Sequence, residues 1–264
     1  MQCALNGCGG SPTTLASGQG GPRAIAVGSG GVYWANSDGT IRDCAIGGCG
    51  SSPTTLASGQ PGPERITVNA GDVYWTNEGS GNDGSVMRCT AGGCGGAPIT
   101  LASGFSFSWG IAVFGSNVYW TNSGSGANDG SVATCAIDNC TGTIVTLASG
   151  RREPNDISVD SENVYWTDYN GGDVEKCAPG GCGGSPTSLT PPQVVGAGGL
   201  ATDGSNVYWF YSGTSASVLK CSVGGCAVPI TLASGQNVPS AIAVDATSVY
   251  WTNRGDGTVM RVAK

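Results

Sequence analysis

Apolar positions fall in short runs along the chain, each run broken by glycine and polar residues. Within a run the period is two, as in Val73-Tyr74-Trp75-Thr76-Asn77, and the residues are β-branched or aromatic. That period and that composition predict strands. No window carries the 3.6-residue stripe of a helix, and the 47 glycines oppose one.

The runs recur in a fixed order. Val-Tyr-Trp occurs six times, with tryptophans at Trp34, Trp75, Trp120, Trp166, Trp209 and Trp251, spaced by 41, 45, 46, 43 and 42 residues. Upstream of each lies an apolar stretch such as Ile66-Thr67-Val68. Downstream come a polar Gly/Asn/Asp loop, a run such as Ser85-Val86-Met87-Arg88, a Cys-x4-Cys, and a run such as Pro12-Thr13-Thr14-Leu15. Four strands per repeat of about 43 residues is the arithmetic of a propeller blade. The expected fold is all-β: a six-bladed β-propeller with four antiparallel strands per blade, residues 1–264 forming one domain. The sixth repeat stops after its third strand, Thr258-Val259-Met260-Arg261-Val262, and residues 1–18 hold a surplus fourth strand. The N-terminal strand is therefore expected to complete the last blade, the alternative being a fragment cut from a longer array. Val-Tyr-Trp itself, at one position of every blade, reads as packing between blades.

Glu153-Pro154-Asn155-Asp156-Ile157-Ser158-Val159-Asp160, followed by Val164-Tyr165-Trp166-Thr167-Asp168, resembles the YWTD repeat of low-density-lipoprotein-receptor-type propellers. The other repeats read Tyr-Trp-Thr-Asn, Tyr-Trp-Ala-Asn or Tyr-Trp-Phe-Tyr. The resemblance covers all six repeats and implies six blades with Tyr-Trp on the second strand. The Cys-x4-Cys departs from that family. In this respect the chain is similar to Cys-rich repeat proteins of secreted or surface contexts in bacteria such as myxobacteria.

The 12 cysteines form six equally spaced pairs: Cys3/Cys8, Cys44/Cys49, Cys89/Cys94, Cys135/Cys140, Cys177/Cys182 and Cys221/Cys226. Turn-forming residues separate the members, which places one at the end of the third strand and the other at the start of the fourth, within disulfide reach. An even count at regular spacing reads as a disulfide framework in an oxidising, extracellular or cell-surface compartment. Zinc would need two pairs brought together, or added histidines.

Composition narrows the function. The chain has no histidine, so a His-dependent triad or metal site cannot be built. Its formal charge is −7, the wrong sign for a nucleic-acid binder. No apolar run approaches a membrane span, and Met1–Gly10 lacks the pattern of a signal peptide. No Gly-x-Ser-x-Gly elbow stands out, and no convergent carboxylates suggest a metal-dependent propeller hydrolase. No cofactor and no metal are expected. Asn82-Asp83-Gly84 and Asn128-Asp129-Gly130 read as turns rather than calcium loops. Arg254-Gly255-Asp256 matches an adhesion tripeptide but sits where turns favour Gly and Asp.

Propellers bind ligands where the connections between blades gather. Aligned on the inner strand, the equivalent positions are Arg23, Glu64, Trp109, Asn155, Gly198 and Ser240, then Ala24, Arg65, Gly110, Asp156, Gly199 and Ala241. The framework repeats and these positions do not. Phe105 and Phe107, in an aromatic loop that ends at Trp109, are further candidate contacts. Phe210 and Tyr211 are expected in a loop on the same face, and Arg151, Arg152 and Glu153 at the same rim. The expected function is a non-catalytic extracellular recognition module for a protein or glycan, using Arg23, Glu64, Arg65, Trp109, Asn155, Asp156, Phe105 and Phe107. The alternatives are a self-assembling surface-layer or fibre subunit and an enzyme.

Overall fold

The structure is a computed structural model that describes residues 1–264 except 5–8, 10, 91, 192–195 and 214–215. It is all-β, with one short helix, α1 (Cys140–Thr143), among the described residues. No helix among them is long and apolar enough to cross a membrane. The chain falls into two compact units, Met1–Ser108 and Trp109–Lys264.

The first unit holds two four-stranded sheets. One is β1 (Pro22–Gly28), β2 (Gly31–Asn36), β3 (Ile41–Cys44) and β4 (Thr54–Ala57). The other is β5 (Pro63–Asn69), β6 (Asp72–Asn77), β7 (Gly84–Thr90) and β8 (Ile99–Phe105). The second unit begins within β9 (Ser108–Phe114), which continues as β10 (Asn117–Asn122), β11 (Gly130–Ala136) and β12 (Val145–Arg151). Then come β13 (Pro154–Val159), β14 (Val164–Asp168), β15 (Asp173–Cys177) and β16 (Thr187–Ser188). The fifth sheet is β17 (Ala197–Thr202), β18 (Asn206–Tyr211), β19 (Ser217–Ser222) and β20 (Ile230–Ser234). The sixth is β21 (Pro239–Val244), β22 (Ser248–Asn253) and β23 (Thr258–Ala263). Neighbouring strands are antiparallel and in chain order. These sheets are the blades of a six-bladed β-propeller, as the repeat predicts.

The second strand of each sheet explains the Val-Tyr-Trp motif. A strand covered on one face alternates buried and exposed positions, whereas β2 is buried throughout. Successive side chains point to opposite faces, so tyrosine and tryptophan face different neighbours. Tyr33 packs in one cluster with Trp75, Tyr119 with Trp166, Tyr165 with Trp209, and Tyr208 with Trp251. The tyrosine of one blade thus faces the tryptophan of the next within each unit.

Two polar relays repeat with the rings. Gln60, just before β5, accepts the indole N–H of Trp75 and the amide of Asn77, both at 3.1 Å. Gln236 does the same for Trp251 and Asn253 at 2.7 and 3.1 Å. The hydroxyls of Tyr208 and Tyr250 each donate to the aspartate that shapes the preceding turn, Asp203 and Asp245, at 2.8 Å. These bonds satisfy polar atoms that burial of the rings removes from water.

Five of the expected disulfides join their cysteines within single hairpins, with Cα–Cα distances of 4.9–5.8 Å. The sixth, Cys3–Cys8, includes Cys8, which lies outside the described residues. One detail is corrected: the second cysteine lies in the connection, not at the start of the fourth strand, since Cys49 precedes β4 and Cys94 precedes β8. There it reaches the blade before its own. The Cys49 N–H donates to the carbonyl of Leu15 at 3.1 Å, and the Cys226 N–H to that of Leu189 at 2.9 Å. The oxidised sulfurs of Cys94 and Cys182 lie 3.4 Å from the carbonyls of Leu56 and Leu147, a packing contact because they carry no proton.

Leu15 belongs to the segment that the sequence assigns to the sheet of β21–β23. Described with the first unit, that segment has an antiparallel bridge between Gln2 and Thr13. Leu15 packs against Val32, Trp34 and Cys44. Its relation to Cys49 is the one Leu189 has to Cys226, so it holds the place of a fourth-strand leucine.

Candidate ligand-binding site

The inner strands break register at their first residues. The breaks fall between Pro22 and Ala24, Pro63 and Ile66, Pro154 and Ile157, Gly198 and Leu200, and Pro239 and Ala241. Four of the five begin on a proline, which has no N–H to give to a ladder. A bulge leaves residues unpaired and re-aims their side chains. The skipped residues are Arg23, then Glu64 and Arg65, Asn155 and Asp156, Gly199, and Ser240. They coincide with positions the sequence alignment singled out.

In the first unit, Arg23 forms an ion pair with Glu64 and lies 3.6 Å from Glu78. Glu64 is only 4% exposed, so its carboxylate is committed to Arg23. The Arg65 backbone N–H donates to Thr76 Oγ1 at 3.3 Å. Phe105 closes β8, and only Ser106 and Phe107 separate it from β9. Phe107 adopts φ 56° to make that turn. Phe105 and Phe107 are half-buried.

In the second unit, Trp109 is half-buried on β9. The Asn155 carbonyl accepts Thr121 Oγ1 at 2.8 Å, and that hydroxyl accepts the Gly110 N–H at 2.8 Å. A Cβ on Gly110 would meet the same carbonyl at 2.8 Å, so a side chain here would push the two inner strands apart. Asp156 is built into the frame. Its Oδ1 accepts the Ile157 N–H and its Oδ2 the Leu200 N–H, each at 3.0 Å.

Phe210 and Tyr211 differ from expectation: they close β18 and are 5% exposed. The cause is Gly198-Gly199 on the paired strand. A Cβ at either would fall within 2.8 Å of the Phe210 ring, so the two glycines leave the space the ring fills. Tyr211 buries its ring and donates its hydroxyl to the Gly172 carbonyl at 2.8 Å.

The rim charges Arg151 and Arg152 belong to a pocket in the fourth blade whose acidic wall sequence reasoning missed. Arg151 takes the place of Gln60, as Ser149-Gly150-Arg151 matches Ser58-Gly59-Gln60. Its guanidinium grips both oxygens of Glu175, at 2.7 and 2.9 Å. Glu175 Oε2 also accepts the Trp166 indole N–H at 3.0 Å, replacing the glutamine relay. Asp168 pairs in register with Asp173. Asp168 Oδ2 accepts the Arg152 N–H at 3.4 Å, while the buried Oδ1 has no hydrogen-bond partner. Burial, and then the charge of Glu175, push the Asp168 carboxyl up to about 7. Burial and Glu175 raise Asp173 as well. These side chains, with Gly150 and Gly171, enclose a cavity of about 130 Å³. The available signal was a comparison of strand pairs: where β6 and β7 pair Asn77 with Ser85 and Trp75 with Met87, β14 and β15 pair Asp168 with Asp173 and Trp166 with Glu175.

No protein-family model and no curated protein matches the chain. Solved structures do match. A catalytically inactive virginiamycin B lyase from Staphylococcus aureus with quinupristin, in which a histidine is replaced by alanine, aligns with TM-score 0.72 at 17% identity, over 94% of this chain and 83% of that one. The WD40 β-propeller domain of Doa1 gives 0.71 at 13%, over 94% and 81%. A nidogen/laminin complex gives 0.62 at 21%, over 77% and 76%. At these identities the likeness is one of fold.

Proposed function

We propose that the chain is a non-catalytic extracellular recognition module that holds a protein ligand at the bulged ends of its inner strands. The register breaks carry this reading. A uniform frame repeats through the blades, and at the points where five of the inner strands leave their ladders the residues differ from blade to blade. Arg23, Arg65, Phe105 and Phe107 in the first unit, and Trp109 and Asn155 in the second, are the proposed contacts. Glu64 and Asp156 act as positioning residues, because their carboxylates are engaged by Arg23 and by backbone N–H groups. The nidogen/laminin structure that this chain resembles is a complex of two proteins. The lyase variant named above is catalytically inactive with a histidine removed, and this chain has no histidine. The disulfides suit an oxidising exterior.

The test starts from pull-down with surface extracts and from a glycan array. Trp109→Ala and Arg65→Ala should each weaken the captured protein at least tenfold and leave melting within a few degrees. Normal binding by both variants would move the recognition surface elsewhere. Concentration-dependent polymers in light scattering, with no ligand captured, would favour the assembly reading. A hit confined to the glycan array would replace protein by glycan as the ligand.

A further inference from the structure

We propose that the pocket of the fourth blade, between Asp168 and Asp173, takes up the primary ammonium of a lysine side chain from a partner protein. It uses residues other than the inner-strand contacts above, so the two readings fail separately.

The argument starts from what the sister blades do at this position. Asn77 donates its amide to Gln60 Oε1 and to Ser85 Oγ, both at 3.1 Å. Asn253 likewise donates to Gln236 and Thr258. In both blades a side-chain donor faces the acceptors. In the fourth blade the asparagine is replaced by Asp168 and the facing serine by Asp173, so two acceptors oppose each other. The positive charge nearby does not resolve this. The Arg151 guanidinium is matched by Glu175, whose oxygens are taken by it and by Trp166. Arg152 meets Asp168 only through its backbone N–H, at 3.4 Å. Asp168 is 3% exposed and its Oδ1 has no hydrogen-bond partner, a state shared by the Oδ1 of Asn77 and Asn253; what sets the fourth blade apart is that Asp168 is a carboxylate and that Asp173, a second one, stands opposite. Two carboxylates facing each other out of water are completed by a proton or by a cation.

The ligand chemistry follows from the acceptors. They belong to two residues on adjacent strands, so a compact cation with diverging donors suits them better than a planar fork made for one carboxylate. A primary ammonium has three such donors. Gly171 keeps the approach narrow but open: a Cβ there would lie 2.6 Å from Asp173 Oδ1 and 2.9 Å from Asp168 Cβ. The cavity of about 130 Å³ admits an ammonium and its first methylenes, not a whole ligand, which points to the end of a long side chain. Among the described residues no grouping of His, Cys, Asp and Glu is arranged to hold a metal ion, so an organic cation is the better match. The charged groups facing the pocket are Arg151, Arg152, Asp168, Asp173 and Glu175. Of these, Asp168 must lose its proton when the ammonium enters.

The whole chain is titrated with n-butylammonium, the side-chain analogue of lysine, with n-butanol as the neutral control. Binding is followed by calorimetry and by the carboxyl resonance of Asp168. Saturable one-site binding should tighten at least threefold between pH 6 and pH 8, and n-butanol should not bind. Asp168→Asn restores the residue of the sister blades, so it should fold and weaken binding at least tenfold. Asp173→Asn should do the same, and it carries the test alone if the first variant misfolds. Absence of saturable binding at pH 8, undiminished binding by the variants, or equal binding of n-butanol overturns the proposal.

Discussion

The carboxylate of Asp156 accepts the backbone N–H of Leu200 at 3.0 Å, joining the inner strand of the fourth blade to that of the fifth. The bond falls beside the register break of β17, which lies between Gly198 and Leu200. Asp156→Ala strands this donor and the Ile157 N–H together. The expected loss is about 2 kcal/mol, or roughly 4–8 °C in melting temperature, read by calorimetry. Unchanged melting would show that water replaces the carboxylate.

The fourth-blade pocket predicts an unusual pH dependence. Asp168 lies at about 7 in the fold against 3.8 for the free group. Between those values the folded state keeps a proton that the unfolded chain has released. Its contribution is complete below the unfolded value and is lost as pH rises through the folded one. Three pKa units correspond to roughly 4 kcal/mol across that window. The urea midpoint of the native chain should therefore fall from pH 5 to pH 8. In Asp168→Asn the fall should be much smaller, with the variant the more stable at pH 8. Parallel curves for the two proteins would rule this out.

Leu15 predicts the importance of the N-terminal segment. It packs on Val32, Trp34 and Cys44 and accepts the Cys49 N–H. Leu15→Ala should lower stability by about 2–5 kcal/mol, in the range of buried leucine truncations. Deleting residues 1–17 should lower melting further and cause aggregation, because it removes Leu15 and the Gln2–Thr13 bridge together and bares Val32 and Trp34. A truncated chain that melts and dissolves like the full one would remove the segment from the fold's essential parts.

The disulfides give a chemical prediction. Each described bond closes a loop of the same short length. Such a loop is worth about 2 kcal/mol in the chain-entropy model. The double variant Cys89→Ser, Cys94→Ser should lose about that amount in denaturant unfolding. Peptide mapping without reduction should find each bond inside one hairpin peptide; bonds between repeats would contradict the structure.

The frame was legible because it repeats. Val-Tyr-Trp, the cysteine pairs and the apolar runs each occur six times, and a period fixes strand count and order without any knowledge of contacts. The site was legible only as positions. That Asn155 and Asp156 lie where the chain enters an inner strand followed from alignment; that the strand breaks register there did not. That Asp156 is tied to Leu200, 44 residues away, did not. Phe210 was misplaced because the space it fills is made by Gly198 and Gly199 on the paired strand, and a missing side chain leaves no mark beside the ring it admits. Glu175 escaped notice for a related reason: its meaning lies in its pairing with Trp166 and Arg151, two residues from different repeats. Long-range complementarity of single residues has no period to betray it.

The contact from the second cysteine back to the preceding leucine gives the chain a direction of growth. Cys49 finds Leu15, and Cys226 finds Leu189, each made a few dozen residues earlier. At these cysteines a growing chain meets a docking point that lies earlier in its own sequence. At Cys49, Cys94, Cys182 and Cys226 the oxidised hairpin thus acts as a latch on the leucine before it. A repeat such as that of Cys49 and Leu56 or that of Cys182 and Leu189, which carries both a latching cysteine and a leucine catch, is a unit whose duplication would add a blade that already fits.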